Sequence, residues 1–295
     1  MGQKTSPLVV IAGETASGKT ELALRLARQF DGEIICADSW TVRRGMDIGT
    51  AKPTPDEQAL VPHHLLDIVE PDEDFTAAVF KRLAQAAVEH IAARGRLPIM
   101  VGGTGLYIDS VLYDFGFLPN GDRGARTELN NLNIEELLRK IRGLGLSTDR
   151  VDTRNKRRLI RLIETNGAVP TRQKLRENTV LIGLKPDHEL LRQRITNRVD
   201  AMLAAGLEDE VRRLAGQYGW DCEGLKGVGY SQWRDYFEST QSLPETRAKI
   251  IKGNLDLAKR QRTWFKREKS IRWFSTPVNW TDLVDLVTTF LNTGA

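Results

Sequence analysis

Gly13-Glu14-Thr15-Ala16-Ser17-Gly18-Lys19-Thr20 follows directly on the apolar run Leu8-Val9-Val10-Ile11-Ala12. The octet has the pattern G-x-x-x-x-G-K-[ST], and Leu22, Leu24, Leu26 and Ala27 then recur among charged residues as one face of a helix does. Strand, glycine-bearing loop and helix start are the context that a phosphate loop requires. The glycines let backbone N–H groups turn inward, and the helix N-terminus adds its positive end, so a di- or triphosphate is cradled between them. Gly13, Thr15, Ala16, Ser17, Gly18, Lys19 and Thr20 are therefore the candidate phosphate site. Lys19 supplies a point charge to the outer phosphate, and the Thr20 hydroxyl is the candidate ligand for Mg²⁺. The Glu14 carboxylate is expected to point outwards, away from the bound anion.

Further apolar runs bounded by turn residues predict strands at Glu33–Cys36, Leu65–Val69, Pro98–Val101 and Val180–Leu184. Helical stretches separate most of them. Val79, Phe80, Leu83, Ala87 and Ile91 recur at spacings of three and four and predict a helix over 77–93. The alternation implies an α/β fold, a P-loop NTPase-like parallel sheet flanked by helices. Between residues 117 and 171 strands stop, Pro119-Asn120-Gly121-Asp122 marks a turn, and polar helical segments follow. This predicts a small helical insertion domain over 117–171 and a core made of 1–116 and 172–295. Asp187 is the expected N-cap of a later helix, whose Leu191, Ile195, Val199 and Met202 face the core.

At 295 residues the chain can bury a large core and a second, smaller one. Its net charge is +4, from 43 basic and 39 acidic residues, so placement of charge matters more than its sum. Cys36 and Cys222 form neither a metal spacing nor a disulfide framework, which suits a reducing cytoplasm. No apolar run reaches the length of a membrane span. Met1-Gly2-Gln3-Lys4-Thr5-Ser6 fits the loose acylation pattern. It is read as an ordinary N-terminus, because the first strand begins two residues later.

Asp38 and Ser39 close the second strand, and the carboxyl ends of parallel strands face the ligand crevice. There a carboxylate can ligate a metal, take a proton from a nucleophile, or cap a turn. Gly102-Gly103-Thr104 ends the next inner strand in the same way. His63 and His64 are adjacent and point different ways, with no further ligand spacing in view. Two basic stretches stand out. The first carries Arg150, Arg154, Lys156, Arg157, Arg158 and Arg161 against one acid, Asp152. The second runs from Lys249 to Arg272 with nine basic residues, interleaved by Trp264, Phe265, Trp273 and Phe274. Each has the ordinary explanation of a solvated helix face. Two such runs in a phosphate-binding chain favour a polyanionic partner.

Longer motifs go further. The stretch from Asp38-Ser39-Trp40-Thr41 through Gly49-Thr50-Ala51-Lys52-Pro53 resembles the signature of the tRNA dimethylallyltransferases. So do Pro62-His63-His64-Leu65, Gly102-Gly103-Thr104-Gly105-Leu106-Tyr107, Arg198-Val199-Asp200-Ala201-Met202-Leu203, Gly229-Tyr230 and Lys259-Arg260-Gln261-Arg262-Thr263-Trp264-Phe265. They stand in the family's order from about residue 8 to residue 275.

The resemblance implies prenyl transfer without ATP. Dimethylallyl diphosphate would sit on the phosphate loop with Mg²⁺, Lys259 and Arg260 adding positive charge. Asp38 would be the base, with Lys19 and Thr20 stabilising the leaving group. The acceptor would be N6 of an adenosine in the anticodon stem-loop of tRNA, with Asp38, Ser39, Trp40, Thr41 and Thr104 at the base. Arg126, Arg157, Arg158 and Arg161 of the insertion, with Lys226, Gly229 and Tyr230, match the family's tRNA contacts. A cytoplasmic monomer with no membrane association is expected.

The chain departs from the pattern in places. Thr41 replaces Gln, which lowers the number of bonds that can be made to the target base. Arg43 replaces Tyr, and Leu255-Asp256 replaces an Arg-Gln pair that adds charge near the diphosphate. Glu14 replaces Pro. Two other activities share parts of the pattern: a small-molecule or nucleoside kinase using ATP, and an RNA-binding relative without catalysis.

Overall fold

The computed structural model describes residues 5–118, 121, 123–149 and 151–293. Residues 1–4, Pro119, Asn120 and Asp122 of the expected turn, and Arg150 of the first basic run, lie outside them. The chain divides into two compact units, Met1–Leu112 with Leu175–Ala295, and Tyr113–Lys174.

The larger unit begins with β1 (Leu8–Gly13), α1 (Lys19–Gln29), β2 (Gly32–Cys36), α2 (Pro55–Leu60), β3 (His63–His64), α3 (Ala77–Ala93), β4 (Leu97–Gly102) and α4 (Gly105–Leu112). The smaller unit holds α5 (Arg123–Asn131), α6 (Ile134–Gly143) and α7 (Lys156–Glu164). The larger unit then resumes with β5 (Thr179–Lys185), α8 (His188–Ala204), α9 (Leu207–Tyr218), α10 (Arg234–Phe237), α11 (Leu243–Phe265), β6 (Ile271–Ser275) and α12 (Trp280–Thr293).

The six strands form one sheet in the order β3-β2-β4-β1-β5-β6, and every pairing is parallel. The central strand β1 is buried along its whole length, as its unbroken apolar run requires. Val9 and Ile11 pack with Ile34, Cys36, Ile99 and Ile182 against α1 and α12. The alternate residues Val10, Ile35 and Met100 are equally buried, and α3 packs on β2 and β4. Each such aliphatic side chain contributes about 1.5–3 kcal/mol of burial.

Local signals explain most boundaries. Asp187 caps α8 by accepting from the N–H groups of Glu189 and Leu190. Thr54 with Glu57 caps α2, and Ser242 with Glu245 caps α11, each as a reciprocal capping box. The strand expected at Leu65–Val69 is corrected: the strand is His63–His64, and of the expected stretch Val69 makes an isolated bridge to Arg43. Leu65 and Asp67 have φ of 64° and 52°, so the chain leaves extended geometry at that point. The edge strand β6 was not foreseen.

In the smaller unit, Leu129, Leu137, Ile141, Leu159 and Ile160 form a separate core. Asn133 and Glu136 cap α6, and Asn155 caps α7.

Candidate active site

The octet forms the connection from β1 to α1. Gly18 is the N-cap of α1 with φ of 96°, a left-handed conformation that favours glycine, and no side chain caps the helix there. The helix N-terminus is thus offered to an anion. Ser17 is buried, and its Oγ has no hydrogen-bond partner among the described residues.

Three cations surround this loop. Lys19 donates from Nζ to the Glu14 carbonyl. Burial of the Lys19 ammonium, with the charge of Arg198 beside it, pushes its pKa down to about 7, against the pull of Asp38 and Glu14. Arg198 donates from Nη1 to Thr15 Oγ1 at 3.4 Å, and burial lowers its pKa from the usual guanidinium value. One turn earlier on α8, Arg194 donates to the Ser17 carbonyl at 3.3 Å. Arg194 and Arg198 had no assigned role from the sequence. Their signal was spacing, since both run beside the buried Leu191, Ile195 and Val199 of α8.

Helix α11 closes the other side. Gln261 is buried, accepts the Thr15 N–H at 2.7 Å and donates from Nε2 to the Gly103 carbonyl at 3.1 Å. A Cβ at Gly103 would collide with that amide, so glycine is needed for the approach. The outward Glu14 is corrected. The residue is 4% exposed, and its carboxylate takes a two-point bond from Arg262, Nε to Oε1 at 2.6 Å and Nη2 to Oε2 at 2.8 Å.

Opposite the phosphate loop stands the segment after β2. Asp38 Oδ1 accepts the Trp40 N–H at 2.8 Å. Burial raises the Asp38 pKa above the usual carboxylate range, opposed by the N–H groups of Trp40 and Thr41 and by Lys19. Thr104 Oγ1 accepts the Ser39 N–H at 3.1 Å and joins the ends of β2 and β4. Thr41 is 7% exposed, and its Oγ1 has no hydrogen-bond partner among the described residues. A cleft of about 350 Å³ runs between these parts, lined by Thr15, Lys19, Thr20, Asp38, Trp40, Thr41, Arg198 and Gln261 among others. It therefore combines a phosphate cradle, cations and a carboxylate of raised pKa.

Several expected residues lie elsewhere. Lys259 and Arg260 are exposed on α11 and do not line the cleft. Leu255 joins an apolar cluster with Ala16, Leu191 and Ile195, so the cations at the loop come from α8 instead. Tyr230, expected at the RNA, has its side chain inside: it is 1% exposed, and its hydroxyl donates to Glu210 Oε1 at 2.7 Å. Gly229 is buried beside it. Glu210 also accepts the N–H groups of Asp47, Ile48 and Gly49 at 2.8–3.0 Å. The Gly229-Tyr230 pair therefore braces the loop whose Gly49, Thr50 and Ala51 line the cleft. Arg43 is likewise inside, donating to the carbonyls of Glu70, Pro71 and Glu73. Lys226 is exposed and pairs with Glu223 at 2.9 Å.

In the smaller unit, Arg126 and Arg161 both bond Glu164, at 2.8 and 3.2 Å. Arg157 and Arg158 lie on the exposed side of α7, opposite the buried Leu159 and Ile160. That amphipathic division gives one unit a basic outer face.

Among the described residues, no group of three or more His, Cys, Asp and Glu side chains could hold a metal ion. His64 is engaged instead with the buried Glu33, Nε2 to Oε2 at 2.7 Å. Oxygen donors at the phosphate-loop end of the cleft include the hydroxyls of Ser17 and Thr20, with the Asp38 carboxylate on the cleft wall. An all-oxygen set with few protein ligands fits Mg²⁺ held largely by substrate phosphates and water.

Comparisons with known proteins point to one family. Residues 41–268 match the model of a family described as IPP transferase. The tRNA dimethylallyltransferase of Geobacillus thermodenitrificans is 42% identical over 286 residues, covering 92% of this chain and 90% of that protein. The protein of the same name from a Roseiflexus species is 43% identical over 291 residues, covering 94% and 95%. Among solved structures, the tRNA isopentenylpyrophosphate transferase of Bacillus halodurans aligns with a TM-score of 0.76 at 36% identity, over 98% of this chain and 97% of that one.

Proposed function

This chain belongs to the IPP transferase family, and we propose that it transfers the dimethylallyl group of dimethylallyl diphosphate to N6 of the adenosine beside the anticodon, position 37, of tRNA. The observation that carries this reading is the facing of Lys19 and Arg198 with Asp38 across one cleft, which pairs a site for a leaving diphosphate with a base for an incoming amine.

The exocyclic amine of adenine is a weak nucleophile because its lone pair is delocalised into the ring. Asp38 takes its proton as the new C–N bond forms at the allylic carbon. The C–O bond to diphosphate breaks in the same step, and its electron pair leaves with the diphosphate. A raised pKa makes the ionised Asp38 a stronger base, and such proton transfer is worth about 10²–10⁴-fold in rate. The backbone bond from Trp40 keeps the carboxylate oriented. Negative charge growing on the leaving group meets the N–H groups of the loop, Lys19 and Arg198, in positions set before the reaction. Mg²⁺, held by the Thr20 hydroxyl, would neutralise part of the diphosphate charge. Lys259 and Arg260, lying outside the cleft, are left out of the diphosphate site in this proposal.

The acceptor base would lie against Trp40, with the Thr41 hydroxyl making one bond to its edge and Ser39 and Thr104 holding that wall. A base turned out of a single-stranded loop reaches such a cleft at lower cost than one in a duplex. Arg157 and Arg158, with Arg126, Arg161 and Lys226, would contact RNA phosphates. The protein is proposed to act as a monomer in the cytoplasm. Unpaired Cys36 and Cys222 agree with a reducing compartment, and no described helix is long and apolar enough to cross a membrane.

Incubation with isotope-labelled dimethylallyl diphosphate, Mg²⁺ and unmodified tRNA tests this. Label in the RNA with equimolar diphosphate released is expected. Hydrolysis of ATP with no label transfer would replace the reading with a kinase.

A further inference from the structure

We propose that Glu14 and Arg262 form a charge latch that sets how tightly the phosphate loop holds the donor's diphosphate. The proposal rests on the reading that this loop is the diphosphate site. A carboxylate at the second position of such a loop would repel the anion that the loop exists to bind. Here the carboxylate is buried, and both of its oxygens are taken by one guanidinium, at 2.6 and 2.8 Å. Planar two-point pairing of this kind is among the strong charge-assisted hydrogen-bond arrangements.

The pair is positioned rather than incidental. Gln261, the neighbour of Arg262 on α11, bonds the N–H of Thr15, the neighbour of Glu14 in the loop, at 2.7 Å. The same amide is anchored to the Gly103 carbonyl at the end of β4. Two successive residues of α11 thus grip two successive residues of the loop. Lys19 donates to the backbone carbonyl of the gripped Glu14, so the latch also holds the carbonyl on which that ammonium rests. Glu14 and Arg262 cancel as a pair, which leaves Lys19, Arg194 and Arg198 as the cations that touch the loop.

Cancellation predicts opposite effects of the two single substitutions. Glu14→Gln keeps the shape, removes the negative charge and leaves the Arg262 charge uncompensated beside the loop. A unit charge about 10 Å away in a partly screened site changes anion affinity by roughly tenfold. Glu14→Gln should therefore bind inorganic diphosphate about tenfold more tightly than wild type. Arg262→Ala, which exposes the loop to a bare carboxylate, should bind it about tenfold more weakly. Adding Glu14→Gln to Arg262→Ala should recover most of that loss. A merely structural role would not make a single substitution at Glu14 a gain.

Titration calorimetry with inorganic diphosphate and Mg²⁺ reads this directly. Donor KM should move in the same sense, and by more than kcat. Tighter binding by Glu14→Gln and recovery in the double variant support the latch, and Glu14→Gln carries the test if Arg262→Ala does not fold. Equal or weaker binding by Glu14→Gln overturns the latch and leaves the donor site standing. No diphosphate binding by wild type overturns the donor site and the latch together.

Discussion

Lys19 makes donor affinity a function of pH, with a sign that follows from its surroundings. Burial and Arg198 bring its pKa in the free protein to about 7, whereas the ordinary value is 10.5. A bound diphosphate supplies opposite charge beside the ammonium and raises that pKa again. Binding therefore takes up a proton between about pH 7 and the raised pKa of the complex. The protonated fraction of the free protein is about nine-tenths at pH 6 and about one-tenth at pH 8. Donor affinity should thus fall by about tenfold between those values and continue to fall above pH 8 until the complex itself titrates. Calorimetry with an unreactive thio analogue of the donor, in two buffers of different ionisation enthalpy, reads both the affinity and the proton taken up. Lys19→Arg keeps the charge at every pH used, so its profile shows what the diphosphate contributes by its own titration. A wild-type profile parallel to that of Lys19→Arg, with no proton uptake at pH 8, would refute the assignment of Lys19. The shift also has a stability counterpart. Between about pH 7 and pH 10.5 the unfolded chain binds more protons than the folded one at this position, so its contribution to stability rises with pH across that window.

Three further outcomes are expected. Asp38→Asn should leave tRNA affinity nearly intact while single-turnover prenyl transfer slows by about 10²–10⁴-fold, and full turnover would remove Asp38 from the chemistry. Arg157→Ala combined with Arg158→Ala should weaken tRNA binding and reduce the slope of log affinity against log salt by about one unit per lost phosphate contact. An unchanged slope would make that face of α7 ordinary solvated surface. Glu210→Ala strips a partner from three backbone N–H groups and the Tyr230 hydroxyl, and should cost about 3–5 kcal/mol in urea unfolding. A loss below about 1 kcal/mol would show that the loop over Asp47–Gly49 is not braced from α9.

The phosphate loop and the inner strands were legible because β1, β2, β4 and β5 are buried nearly throughout and are mostly apolar, with Glu33 the charged exception in β2. The parallel sheet followed from the helices between them. Strand β6 escaped because of its five residues only Ile271 is buried, and Arg272, Trp273 and Ser275 are exposed. Backbone sign at Leu65 and Asp67 carries no side-chain signature, so the third strand was displaced by two residues. At the site, Asp38, Lys19 and Thr104 could be brought together from their strand ends alone. Side-chain direction was the harder part. Glu14 turns inward because Arg262, about 250 positions away in sequence, meets it. Tyr230 is buried in an apolar cluster and donates its hydroxyl to Glu210. Such pairings depend on how α9 and α11 cross the loops, which periodicity does not encode.

The most direct measurement is nucleoside mass spectrometry of an unmodified tRNA after incubation with this protein, Mg²⁺ and dimethylallyl diphosphate. An adenosine heavier by one C₅H₈ unit, absent when the target adenosine beside the anticodon is replaced, is the predicted result. Unaltered nucleosides from a tRNA that the protein binds, with the donor intact, would contradict prenyl transfer by the Asp38–Lys19 cleft.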